Sequence, residues 1–192
     1  NNRIEVNKVY ENIKKLQKKL ILNKKNIIRH GTEYLHNKTN ILLFDYSSSV
    51  TDIIKSYCKK KNKLNLIIPE SRTINGGIPI LKDLYELNVF INFIPDMAIK
   101  SFIEKTDVVL FGVESFDYNG DGWNTIGSYI VSKLANDNQV PVCIPTDTIK
   151  FNQYSKESTY NKKIIYDDFQ NIYDIPIELT KISNLDYSCP EI

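Results

Sequence analysis

The sequence is poor in the residues that build special chemistry. Glycine, seven residues in 192, is too sparse for elaborate phosphate loops, and neither a Walker loop nor a glycine-rich dinucleotide fingerprint occurs. The three cysteines, Cys58, Cys143 and Cys189, are odd in number, far apart and without metal-ligand spacing, which argues against a disulfide framework and predicts a reducing compartment. His30 and His36 lie outside the apolar runs described below and read as surface or interface residues, and there is no Ser-His-Asp arrangement. No apolar run approaches the roughly 20 residues of a membrane span. The polar start Asn1-Asn2-Arg3 lacks a signal-peptide core. The expectation is a cytoplasmic protein with no membrane partner. Neither sign of charge dominates: 25 Lys and Arg stand against 23 Asp and Glu, and a net charge of +2 gives no broad field for nucleic acid, which is not expected as a partner.

What is present is enough for one core. A hydrophobic share of 42% in a chain of 192 residues supports a single domain. Over residues 6–28, Val9, Ile13, Leu16, Leu20, Ile27 and Ile28 recur mostly at three- and four-residue spacing, predicting a helix with one buried stripe that docks on something. The lysines among them, Lys14, Lys15, Lys18, Lys19, Lys24 and Lys25, read as the solvated face of that helix in preference to a phosphate-binding strip. A second short helix through Ile28, Tyr34 and Leu35 is expected, followed by a turn at Asn37-Lys38-Thr39-Asn40. Residues 1–38 therefore read as a helical arm and 39–192 as the main domain.

In the main domain short apolar runs alternate with helical patterns. Runs at 41–44, 64–68, 89–94, 108–111 and 142–144 are separated by expected helices over 49–61, 80–87, 97–105 and 124–136. Buried strands alternating with helices describe βαβ units with right-handed crossovers. The fold class is therefore α/β, a doubly wound, Rossmann-like and mainly parallel sheet. Beyond Lys150 the pattern weakens, with a further strand expected at Ile164-Ile165-Tyr166.

Open parallel sheets bind ligands outside the carboxyl ends of their strands. Those ends carry Asp45-Tyr46-Ser47-Ser48-Ser49, Glu70-Ser71-Arg72, Asp96, the stretch from Glu114 to Asn124, and Thr146-Asp147, all expected on one edge. Ser47, Ser48 and Ser49 offer a helix N-terminus for an anion such as phosphate, or simply a cap. Asp45 and Glu114 are carboxylates suited to proton transfer if partly desolvated, or else turn residues. Asn119-Gly120-Asp121-Gly122 reads as a plain glycine turn, because the acidic ligands of a calcium loop do not continue. Neither a metal nor a cofactor is expected.

Six segments, Ile41-Leu42-Leu43-Phe44-Asp45-Tyr46-Ser47-Ser48-Ser49-Val50, Glu70-Ser71-Arg72, Gly112-Val113-Glu114, Asn119-Gly120, Asn124-Thr125-Ile126-Gly127 and Lys150-Phe151, stand in an order and spacing that carry a family resemblance. The sequence resembles the family joining the alpha, beta and delta subunits of translation initiation factor 2B to ribose-1,5-bisphosphate isomerase and methylthioribose-1-phosphate isomerase. Ser188-Cys189-Pro190-Glu191 resembles its closing Pro-Glu motif. The resemblance implies a domain that dimerises, as a homodimer or a hetero-oligomer with related subunits, and that holds a sugar phosphate or nucleotide at the strand ends. Relatives usually carry a longer helical domain first and continue past Ile192, so the chain reads as a reduced member or as part of a longer protein.

Departures from the family pattern bear on function. Asp45 stands where the isomerases have a catalytic cysteine, Glu114 where they have an aspartate, and Thr125 where they have a lysine. The resemblance therefore implies a regulatory or assembly domain binding a small phosphorylated ligand through Ser47, Ser48, Ser49, Arg72, Asn124, Thr125 and Lys150. The alternative is an aldose–ketose isomerase acting on a phosphorylated sugar, with Asp45 and Glu114 as its catalytic carboxylates.

Overall fold

The computed structural model describes residues 2–61, 63–152 and 188–189. It begins with one helix, α1 (Asn2–Tyr34), where two were expected. Gly31 does not interrupt it. A methyl group built there would overlap the Ile53 side chain, so glycine lets α1 approach α2 (Ser48–Cys58) closely. Neither α1 nor any other described helix is long and apolar enough to cross a membrane.

The sheet contains β1 (Asn40–Leu43), β2 (Asn65–Pro69), β3 (Phe90–Ile94) and β4 (Val108–Leu110). Two short strands, β5 (Ser115–Phe116) and β6 (Gly122–Trp123), precede its fifth member, β7 (Val142–Cys143). The order is β3-β2-β1-β4-β7, with every pairing parallel. Successive side chains on a strand point to opposite faces. Both faces of β1 are apolar, so both must be covered. Ile41 and Leu43 join a core cluster with Leu35, Val50, Ile53 and Ile54, while Leu42 and Phe44 join a second with Ile99, Ile103, Val131 and Ala135. The first lies under α1, α2 and α3 (Gly77–Leu84), the second under α4 (Ile99–Ile103) and α5 (Ser128–Asp137). Each such side chain contributes about 1.5–3 kcal/mol when fully buried. The doubly wound reading is thus correct, with boundaries displaced by a few residues. The largest displacement is α5, which starts at Ser128 and not at Asn124.

A second sheet was not foreseen. β5 and β6 form an antiparallel hairpin, and β6 pairs with β8 (Ser188–Cys189). The Asp117 carboxylate closes the hairpin by accepting from Asn119 N–H at 2.9 Å and Asp121 N–H at 3.2 Å. The glycine turn is real, but it leads into β6 and not directly into a helix. The strand expected at Ile164-Ile165-Tyr166 lies outside the described residues.

Candidate functional site

Strand order reverses between β1 and β4, and a parallel sheet opens a crevice at such a point. The backbone beyond β1 turns sharply there. Asp45 has φ 57°, and in the neighbouring β2–α3 loop Ser71 and Asn75 have φ 49° and 53°. Side-chain-bearing residues avoid this left-handed region unless the surroundings enforce it, and such strain concentrates at functional sites.

The enforcing contacts are specific. Asp45 N–H donates to Ser71 Oγ at 3.0 Å, tying the ends of β1 and β2 together. The Asp96 carboxylate accepts from Ser71 N–H and from Arg72 N–H, each at 2.8 Å, fixing the β2 end to the β3 end. Asp45 is 5% exposed. Its Oδ1 accepts from Tyr46 N–H at 2.6 Å, and its Oδ2 accepts from the Thr125 hydroxyl. Burial pushes the Asp45 carboxyl above the ordinary carboxylate range. The hydrogen bonds from Thr125 and Tyr46 oppose that shift, and the negative charge of Glu114 reinforces it.

The expected site residues divide into two groups. Asp45 and Thr125 touch, Arg72 follows the Ser71 that holds Asp45, and Glu114 is within electrostatic reach of Asp45. Ser47 packs on the β4 extension. A methyl group built on Gly112 would stand 2.9 Å from Ser47 Cβ. Lys150 reaches the same edge by donating from Nζ to Val113 O at 2.5 Å. Ser48 and Ser49 begin α2, where the Ser47 hydroxyl makes no capping hydrogen bond to the helix amides. Asn124 is buried, and its Nδ2 donates to Ser128 Oγ at 2.8 Å. The Arg72 guanidinium lies 3.8 Å from Glu70.

Asp147, beyond the end of β7, is engaged by α1. It accepts from Asn23 of α1 at 2.9 and 3.1 Å and from Ile149 N–H at 3.1 Å, beside a cavity of about 460 Å³ between α1 and the segment after β7. Ser71 and Asp96 stand at the edge where they were expected, now with a structural part in the crevice, and Gly76 shapes it without having been expected there. A methyl group built on Gly76 would overlap Asp45 Oδ1 and stand 3.0 Å from Tyr46 N. The sequence signal for Ser71 and Asp96 was their place directly after β2 and β3.

The model of the Initiation factor 2 subunit family matches residues 4–191. A ribose 1,5-bisphosphate isomerase of Methanocaldococcus jannaschii is 28% identical over 126 residues, covering 66% of this chain and 41% of the relative. A putative translation initiation factor eIF-2B subunit 2-like protein of Pyrococcus furiosus is 23% identical over 159 residues, covering 82% of this chain and 58% of the relative. The chain thus spans about half the length of these curated relatives. A chain of the tetrameric eIF2B-beta2-delta2 complex from C. thermophilum superposes with a TM-score of 0.68 at 16% identity, covering 74% of this chain and 46% of that one.

Proposed function

The chain belongs to the initiation factor 2 subunit family, and from that premise we propose that it binds a sugar phosphate or nucleotide in the crevice between the ends of β1 and β4. Its role there is regulatory or one of assembly, with related subunits or a second copy as partners. One observation carries the reading: both Asp45 oxygens are engaged by donors of the protein while the N-terminus of the adjacent α2 lacks a side-chain cap. A carboxyl held in this way serves as a wall, and uncapped helix amides favour an anion. Arg72, at the end of β2, supplies positive charge to the same edge.

Calorimetric titration with ribose 1,5-bisphosphate, 5-methylthioribose 1-phosphate and nucleoside monophosphates tests this. Saturable binding by one of them, weakened by Arg72→Ala, is expected. An absence of heat with every one at millimolar concentration overturns the reading.

A second reading rests on the raised pKa of Asp45 with Glu114 nearby. Aldose–ketose isomerisation needs an acid and a base at the first two carbons of the sugar, and two carboxyls at adjacent strand ends supply that pair. It requires that Asp45→Asn or Glu114→Gln abolish turnover of a phosphorylated aldose. Turnover that survives both substitutions, or wild-type protein without turnover, removes it.

A further inference from the structure

β3 stands at the end of the strand order. One side of it pairs with β2 and, among the described residues, no strand pairs with the other. Natural proteins ordinarily blunt such an edge with charge, proline or a bulge. From Asn88 to Ile94 there is neither a charged residue nor a proline, and the pairing with β2 runs without a bulge. Phe90 is 68% exposed, and Met97, just past the strand, is 94% exposed.

The outward backbone groups follow from the inward ones. Phe90 N–H donates to Leu64 O, and Ile94 O accepts from Glu70 N–H, each at 2.8 Å. Peptide groups alternate sides along a strand, so Phe90, Asn92 and Ile94 bond toward β2, while the N–H and C=O groups of Ile91 and Phe93 point to the open edge. A side-chain ladder ends on the same strand. Asn65 Nδ2 donates to Asn40 Oδ1 at 2.9 Å and Asn92 Nδ2 donates to Asn65 Oδ1 at 2.6 Å, linking β1, β2 and β3. The ladder uses neither the Asn92 carbonyl oxygen nor the second N–H of that amide.

These features select the occupant because they match their own copy. With a second β3 laid antiparallel about a two-fold axis at Asn92, Ile91 of each copy meets Phe93 of the other, and each such pair exchanges the two outward backbone bonds. Asn92 then faces Asn92 in a non-hydrogen-bonded pair, where side chains come closest, and an amide that both donates and accepts is complementary to itself. The exposed Phe90 lies against Ile94 of the second copy. The chain after that Ile94, which carries Met97, continues toward a cavity of about 460 Å³ lined by Leu64, Asn65, Val89 and Phe90. Any strand could meet the backbone; a second copy also meets the amide and the phenylalanine and sets no charge of this edge against its like. We propose that two copies of the chain join through β3 into one continuous sheet, with the asparagine ladder running through the axis from one copy to the other. The inference rests on the assembly role proposed above and names its surface.

Light scattering at micromolar concentration should show a species of twice the chain mass. Asn92→Asp and Asn92→Lys each set like charges face to face at the axis, so each should raise the dimer dissociation constant about tenfold or more with circular dichroism unchanged. An equimolar mixture of the two variants should regain the dimer, a recovery that neither a misfolded variant nor a contact elsewhere on the molecule would give. Ile130→Asp, at an exposed position of α5, should leave the dimer intact. A strictly monomeric wild type overturns the proposal, as does a dimer indifferent to both charges or a mixture that stays dissociated. Ligand titration is read separately: a dimer that binds no phosphate compound overturns the ligand reading alone, and a monomer that binds one overturns this inference alone.

Discussion

Gly76 lies so close to Asp45 that a β-carbon at position 76 would stand only 2.3 Å from Asp45 Oδ1. The Gly76 backbone is ordinary right-handed helical, with φ −62°. Its lack of a side chain is therefore a matter of space. Gly76→Ala should cost about 1–3 kcal/mol through overpacking and displace the Asp45 carboxyl. Gly120 provides the contrast: a methyl group there meets nothing within 4 Å, but φ is +89°. Gly120→Ala should cost stability through backbone strain and leave crevice binding intact. Urea denaturation with parallel ligand titration separates the two, and equal loss of binding in both variants would contradict the assignment of Gly76 to the crevice.

The titration of Asp45 should be visible in stability. Its folded pKa is raised above the unfolded value of about 3.9, chiefly by burial. A carboxyl so shifted favours the folded state fully below the unfolded pKa and loses that contribution as pH rises through the folded one. Asp45→Asn, neutral at every pH, should therefore be more stable than wild type at pH 8, and the gap should narrow as the solution is brought toward pH 4. Unfolding midpoints at several pH values provide the measurement. A gap of constant size would mean that the Asp45 charge carries no burial cost.

Asp107 should behave in the opposite sense. Burial works against its charged form, but Asn40 N–H at 2.8 Å, Thr39 N–H at 2.7 Å and the Thr39 hydroxyl at 3.0 Å prevail and lower its pKa. The stability it contributes is present above the unfolded pKa and lost as pH falls through the folded one. Asp107→Ala should destabilise by about 1.5–3 kcal/mol at pH 7, since hydrogen bonds to a charged group are lost where α1 joins β1. The difference from wild type should shrink in acid. If it grows in acid, the hydrogen bonds to Asp107 do not stabilise its ionised form.

What could be read in advance follows from local chemistry. Ile41 to Phe44 are apolar on both faces and so marked a buried parallel strand, and the polar residues directly after each strand marked the edge where Asp45, Arg72 and Glu114 stand. The β5–β6 hairpin was hidden because strands of two residues have no measurable period. Gly31 weakens a helical pattern in sequence, yet in space it admits the Ile53 side chain, a contact no local pattern encodes. The contact of Asp147 with Asn23, 124 positions away, is likewise one that no local pattern encodes.

Asp96 is a positioning residue of the crevice. Its two oxygens hold consecutive backbone N–H groups, those of Ser71 and Arg72, and Ser71 is kept at φ 49°. Asp96→Ala leaves that loop free to relax from a strained conformation, so ligand affinity should fall while Asp96→Asn, which keeps one acceptor, retains part of it. The stability loss should be about 1–3 kcal/mol for alanine. Affinities of the two variants for whichever phosphate ligand the titrations identify provide the test, and equal loss in both would show that the charge of Asp96, and not its grip on the loop, is what matters.

Arg72 separates binding from folding most clearly. Its contact with Glu70, at 3.8 Å and with the arginine side chain 48% exposed, is a surface ion pair of the kind that contributes about 0–1 kcal/mol. Arg72→Ala should therefore leave the unfolding midpoint nearly unchanged while lowering affinity for a phosphate-bearing ligand about tenfold or more. Affinity in the wild type should also rise as pH falls and Asp45 takes up its proton, because a neutral carboxyl no longer repels the anion. Asp45→Asn should flatten that dependence over the range where the ligand's own phosphate charge is constant. A pH profile that keeps its slope in Asp45→Asn would place the anion away from the β1 end and require another site for it.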